Sequence, residues 1–284
     1  MQPSTVSRIL TEQQLEAYTD DGYVVVRGML SPAEVRELCS TFMEAGKDGP
    51  VEGLSEFKKG SGGSSGTYPD SDPLAKYPRM MHPHRHPELP VGPIATRYML
   101  DTRVHDVVAS LFGEEPVAAQ SMFYFKPPGA RGQDLHQDNF YLRVSPGSCV
   151  AAWCALDDAD EGNGGMMLVP GTGQLDIACP TPADTTKFFT SDHVEPPAGK
   201  HPVQLDLKAG DVLFFNGSVI HGSYGNTSQD RFRRAFICHY VPASSSETAH
   251  WYRPLLRFDG TETFVPEATG GGPCGTVAVQ TAPH

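Results

Sequence analysis

Six short apolar runs between residues 117 and 241 limit what this chain can become more than any other feature. Residues 117–126, 149–156, 166–169, 203–207, 212–215 and 234–241 are short runs bounded by turn-forming Gly, Pro, Asn and Asp. Many short strands with turn punctuation predict a β-sandwich or barrel rather than alternating β and α units.

The segment before these runs reads differently. Thr11-Glu12-Gln13-Gln14 and Ser31-Pro32-Ala33-Glu34 are capping boxes that open two helices, and Pro32 suits the first helical position. Between them Tyr23-Val24-Val25-Val26 is β-branched and predicts a strand. A Gly/Ser tract, residues 58–66, cannot pack a core and reads as a surface loop. Asp101 caps a further helix, with Val104, Val107, Val108, Leu111 and Phe112 at helical spacing and Gly113 as its stop. Residues 267–284, rich in Gly, Pro and Thr, read as a loosely held tail. The expectation is a single domain over residues 1–284, with residues 50–90 forming a lid-like loop region.

Bulk properties exclude several classes. No run of eighteen apolar residues indicates a membrane span, and the N-terminus lacks a secretion signal. The formal charge of −12 argues against a nucleic-acid partner, which would need clustered Lys and Arg. Six cysteines form no close-spaced zinc pattern and read as reduced residues of a cytoplasmic protein.

His136-Gln137-Asp138 carries the chemistry. In an extended strand, residues two apart share a face, so one imidazole and one carboxylate would project together. His221 is placed to supply a third ligand from a distant strand. Two histidines and a carboxylate leave three positions open on an octahedral ion, the arrangement of non-haem Fe(II) oxygenases. Zinc accepts the same ligands. Arg233 tilts the choice toward iron with an anionic cosubstrate, because guanidinium binds carboxylate bidentately.

The order of these residues resembles the phytanoyl-CoA dioxygenase (PhyH) family. The resemblance rests on His136-Gln137-Asp138-Asn139-Phe140-Tyr141, Ala151-Ala152-Trp153 and the run 161–171, EGNGGMMLVPG. It continues through the run 214–223, FFNGSVIHGS, and Phe232-Arg233-Arg234-Ala235. It implies a double-stranded β-helix, a jelly roll with helices on one sheet, that uses Fe(II), 2-oxoglutarate and O2. Carried over by position, it assigns His136, Asp138 and His221 to iron and Arg233 to 2-oxoglutarate. Arg231 and Arg234 are neighbouring competitors. Ser223, Trp153, Gln120 and Tyr124 stand where relatives place groups near the cosubstrate; core packing explains Trp153 and Tyr124 equally well.

The implied activity is hydroxylation of a C–H bond in a small molecule, with release of succinate and carbon dioxide. Desaturation, epoxidation or cyclisation are related outcomes. Asp138 argues against halogenation, for which relatives place a small residue there so that chloride can bind. A specialised metabolite, an amino-acid derivative or an acyl compound would fit the family equally. The alternative is a non-oxidative cupin-like isomerase or binding protein, which would have no use for Arg233. His82-Pro83-His84-Arg85-His86 reads as a solvated loop rather than a metal tract. With Lys58, Lys59 and Arg79 it gives the segment a basic bias that could receive an anion.

Overall fold

A computed structural model describes residues 10–56, 68, 71–269 and 274. Both capping boxes form: Thr11 opens α1 (Glu12–Asp21) and Ser31 opens α2 (Pro32–Ala45). α3 (Val91–Met99) and α4 (Thr102–Phe112) follow, the latter between the Asp101 cap and left-handed Gly113. The Gly/Ser tract lies outside the described residues, as does all of the tail beyond Thr269 except Cys274.

Nine strands carry the architecture. They are β1 (Tyr23–Val26), β2 (Pro116–Tyr124), β3 (Gln133–His136), β4 (Val150–Ala155) and β5 (Met166–Leu168). β6 (Val203–Leu205), β7 (Val212–Asn216), β8 (His221–Ser223) and β9 (Ala235–Pro242) complete the set. The larger antiparallel sheet runs β1-β7-β4-β9-β2, extended beyond β2 by two short strands, Leu255–Leu256 and Glu262–Thr263. The smaller runs β3-β8-β5-β6. The chain crosses repeatedly from one sheet to the other, which gives the double-stranded β-helix.

Alternation decides what each face buries. On β4, Val150, Ala152 and Cys154 join the helix-side core, whereas Ala151, Trp153 and Ala155 face the smaller sheet. β9 divides in the same way, with Phe236, Cys238 and Tyr240 outward and Ala235 and Ile237 inward. Phe42 of α2 stacks on Phe123 of β2 with ring centroids 4.2 Å apart, fixing the helix layer on the sheet. The inner space between the sheets is left to smaller side chains and to the polar groups described next.

Three expectations need correcting. The cysteines are not all reduced: Cys179 and Cys274 are bonded, because two surface segments approach with Cα atoms 5.1 Å apart. The pairing removes the cysteine argument for a reducing compartment. The described part of region 50–90 is not simply loop, since Met80–Met81 pairs with β2 and Pro83–Arg85 forms a 3-10 turn. Of the basic groups read there, Arg79 is buried against Glu56, and Lys58 and Lys59 lie outside the described residues. His82 and His84 are buried too, and His84 Nδ1 lies 2.6 Å from Ser121 Oγ. No helix among the described residues is long and apolar enough to cross a membrane.

Candidate active site

His136 ends β3 and His221 opens β8, and the two are direct partners in the antiparallel register. Their rings are 4.2 Å apart. Asp138 arrives by a different route from the one its spacing predicts. The strand stops at His136, and Asp138 has helical backbone angles (φ −61°, ψ −36°) at the head of a short turn, Asn139–Leu142. The turn, rather than strand alternation, folds the carboxylate back beside the imidazoles. Asp138 Oδ1 then lies 3.5 Å from Nε2 of both histidines. All three groups are buried and close enough to hold one metal ion.

Backbone carbonyls set the tautomers. His136 Nδ1 donates to Asp134 O at 2.8 Å and His221 Nδ1 to Val219 O at 2.9 Å. Each Nε2 therefore presents a lone pair to the shared space. Burial pushes the His221 pKa down to about 4, so the ring is neutral at physiological pH. Burial alone would raise the pKa of Asp138, but His221 and His239 outweigh it and hold the carboxyl well below the usual range. His239, on β9, places Nε2 3.0 Å from Asp138 Oδ2. Its position inside the apolar run of β9 gave no sign of this role.

These groups line a small cavity of about 30 Å³ with Tyr124, Trp153, Ser223 and Arg233 around it and Met122, Met166, Phe215 and Ile237 as apolar wall. Of the three candidate arginines only Arg233 faces it. Arg231 pairs with Asp160 at the surface, and Arg234 makes a fork to Asp157. Arg233 is 1% exposed, donates from Nε to Gly164 O at 2.9 Å and lies 5.2 Å from the Trp153 ring centroid. Its Nη1 has no hydrogen-bond partner among the described residues. Burial lowers its pKa to about 10, which still leaves it charged at neutral pH.

Ser223 lines the cavity and accepts from Lys126 Nζ at 2.7 Å, a buried lysine that the sequence did not single out. Burial and the neighbouring Arg233 push the Lys126 pKa well down. Gly164 explains part of the Gly-rich run: it has φ +84°, and a Cβ there would lie 2.8 Å from both Lys126 Cδ and Tyr224 O. Gln133 also enters the cavity, its amide nitrogen 3.1 Å from His136 Nε2. Gln120 is not among the lining residues; it is buried as the cross-strand partner of His239.

The family model for phytanoyl-CoA dioxygenase (PhyH) matches residues 18–235. The chain belongs to that family. Its class is therefore the Fe(II)- and 2-oxoglutarate-dependent oxygenases, oxidoreductases that use O2. Phytanoyl-CoA dioxygenase 1 of Oryza sativa subsp. japonica is 28% identical over 267 residues, covering 84% of this chain and 91% of that protein. Phytanoyl-CoA dioxygenase domain-containing protein 1 of Danio rerio is 28% identical over 283 residues, covering 86% and 93%. Among solved structures, EctD from S. alaskensis with 2-oxoglutarate and 5-hydroxyectoine shares the fold (TM-score 0.63, 20% identity, 86% and 80% covered). So does the epimerase SnoN in complex with Fe3+, alpha ketoglutarate and nogalamycin RO (TM-score 0.62, 22% identity, 86% of each chain covered).

Proposed function

We propose that this oxygenase hydroxylates a C–H bond of a small molecule, converting 2-oxoglutarate, O2 and substrate into succinate, carbon dioxide and the hydroxylated product. The atoms balance: one oxygen atom of O2 enters succinate and the other enters the product. The observation that carries the reading is the buried His136–Asp138–His221 cluster sharing one cavity with an arginine whose Nη1 has no hydrogen-bond partner among the described residues.

The donor set suits a ferrous ion. Two neutral imidazole nitrogens and one carboxylate oxygen can occupy one face and leave room for exchangeable ligands. When bound, iron supplies the O2 activation and electron transfer that side chains lack. The chain's own residues do the rest. His136 Nε2, His221 Nε2 and Asp138 Oδ1 would hold the metal, with Asp134 O, Val219 O and His239 keeping them aimed. Arg233 would receive the distal carboxylate of 2-oxoglutarate, steadied by the Trp153 face and the Gly164 carbonyl. Ser223, fixed by Lys126, and Tyr124 would add polar contacts on the same side. The apolar wall of Met122, Met166, Phe215 and Ile237 would exclude water from the reacting end.

Hydroxylation is favoured over halogenation by Asp138, which occupies with a carboxylate the position a halide would need. The test is anaerobic addition of 2-oxoglutarate to the Fe(II) protein, which should raise a weak visible charge-transfer band. No band, together with no O2-dependent succinate across candidate substrates, would refute the proposal.

A further inference from the structure

One guanidinium beside the site has no place in the roles above. Three arginines of this chain hold a carboxylate in the same way: Arg79 with Glu56, Arg103 with Asp101 and Arg234 with Asp157. Each uses Nε and Nη2, two parallel donors on one edge, to meet the two carboxylate oxygens. Arg85 has that edge bare. Its Nη1 donates to Trp251 O at 3.2 Å, while Nε and Nη2 are buried with no hydrogen-bond partner among the described residues. A buried cation with bare donors is costly unless an anion pairs with it. Burial lowers the Arg85 pKa, and only Tyr252 acts against the shift.

His82 stands at the head of the same turn, and its carbonyl accepts from Arg85 N at 2.9 Å. It is 9% exposed, and neither ring nitrogen has a partner among the described residues. In either neutral tautomer the ring brings one N–H. Its backbone (φ 51°, ψ 43°) lies in a region that residues other than glycine rarely adopt. Both side chains turn toward one segment: the His82 ring is 6.2 Å from the Tyr252 ring, next to the Trp251 carbonyl that holds Arg85.

The turn is tied to the supports of Asp138. His82 N donates to Ser121 O at 2.8 Å, and the adjacent Gln120 pairs across the strands with His239, the partner of Asp138. On the other flank, Ala249 N and Thr248 Oγ1 both donate to Leu142 O, in the turn that begins at Asp138. Arg233 lies elsewhere. Cys238, the cross-strand partner of Ser121, is five residues (238 − 233) from it, roughly 17 Å along an extended chain. A cosubstrate held at Arg233 leaves the Arg85 edge to a different molecule.

We propose that Arg85, with His82 at the head of its turn, binds the carboxylate of the primary substrate, which makes this chain an oxygenase of small carboxylic acids. Naming that acid the substrate rests on the oxygenase reading above; the carboxylate site itself does not. The acid's two oxygens meet Nε and Nη2 as those of Glu56, Asp101 and Asp157 do on their arginines. A primary amide of the same shape has one acceptor and no charge, and binds less well.

The test is calorimetric titration of the Fe(II) protein, anaerobic and saturated with 2-oxoglutarate, with acetate, hexanoate and benzoate, each set against its primary amide. Wild-type protein should favour at least one acid over its amide tenfold or more, the value of hydrogen bonding to a charged group. Arg85→Met should abolish that preference without lowering the melting temperature, because it removes a buried charge that pairs with nothing in the chain. Arg85→Lys should restore it only in part, since an ammonium cannot form the fork, and it keeps the test decisive if the methionine variant does not fold. Equal affinity for all three acids and their amides in wild type, or an acid preference that survives in Arg85→Met, would overturn the proposal. A carboxylate preference that depends on Arg85 in a protein giving no charge-transfer band with 2-oxoglutarate would uphold the site and remove the oxygenase reading instead.

Discussion

Replacing His239 with leucine probes the part of the site least visible in the sequence. Its Nε2 lies 3.0 Å from Asp138 Oδ2. An ionised carboxylate only accepts, so the imidazole must supply the proton. His239 is 1% exposed and Asp138 also 1%, so the bond is made away from solvent. Leucine fills similar space and removes the donor. A hydrogen bond to a charged acceptor contributes roughly 1.5–3 kcal/mol, about 10- to 100-fold in an equilibrium constant. Loss of outer-sphere support for a metal-binding carboxylate falls in the same range, about 10- to 100-fold. The assay is anaerobic competition for Fe(II) or Co(II) against a chromophoric chelator, with thermal melting as the folding control. His239→Leu should weaken metal binding by that factor, and His239→Gln, which keeps a donor, should recover part of it. Wild-type metal affinity in a folded His239→Leu protein would refute the reasoning: Asp138 would then be held without this bond.

Other outcomes follow from the same geometry. Arg233→Lys should weaken 2-oxoglutarate binding by about 10- to 100-fold in the charge-transfer titration, whereas Arg231→Lys, altering a surface pair with Asp160, should not. Phe42→Ala removes a ring stacked on Phe123 and should cost about 3–5 kcal/mol in urea unfolding, with metal affinity intact. Acid should destabilise the fold through buried histidines: burial lowers the His84 pKa from 6.5 to about 3. The unfolded chain then takes up this proton first, so stability present above pH 6.5 is lost as pH falls toward 3. At pH 5 the His84 share is ~2 kcal/mol, and His84→Phe should remove that share of the drop between neutral and acidic urea midpoints.

Much of the β-core was legible because most strands there are short apolar runs bounded by turn residues; β3 (Gln133–His136) and β8 (His221–Ser223), largely polar, are not. The helices with side-chain caps were legible for a similar reason, since Thr11, Ser31 and Asp101 each announce a start. α3 was not, because Gly92 and Pro93 sit near its head and no side chain caps it. For the site, His136, Asp138 and His221 were readable as ligand types, but the turn that aims Asp138 was not. His239 and Lys126 lie in apolar surroundings where the default reading is core. Arg79 and Glu56 are 23 residues apart, and nothing local signals their pairing. Cys179 and Cys274, 95 residues apart, were misread because neither stands near another cysteine in the chain.

The pairing of His136 directly opposite His221 has a consequence for assembly. Strand side chains alternate between faces, so a one-residue slip between β3 and β8 would turn one imidazole away from the cavity. An ion bound by both rings would bridge the two strands in a single alignment, and misaligned chains would be unable to acquire it. Metal capture would thus act as a check on strand alignment, sorting correctly zipped molecules from slipped ones before any cosubstrate arrives.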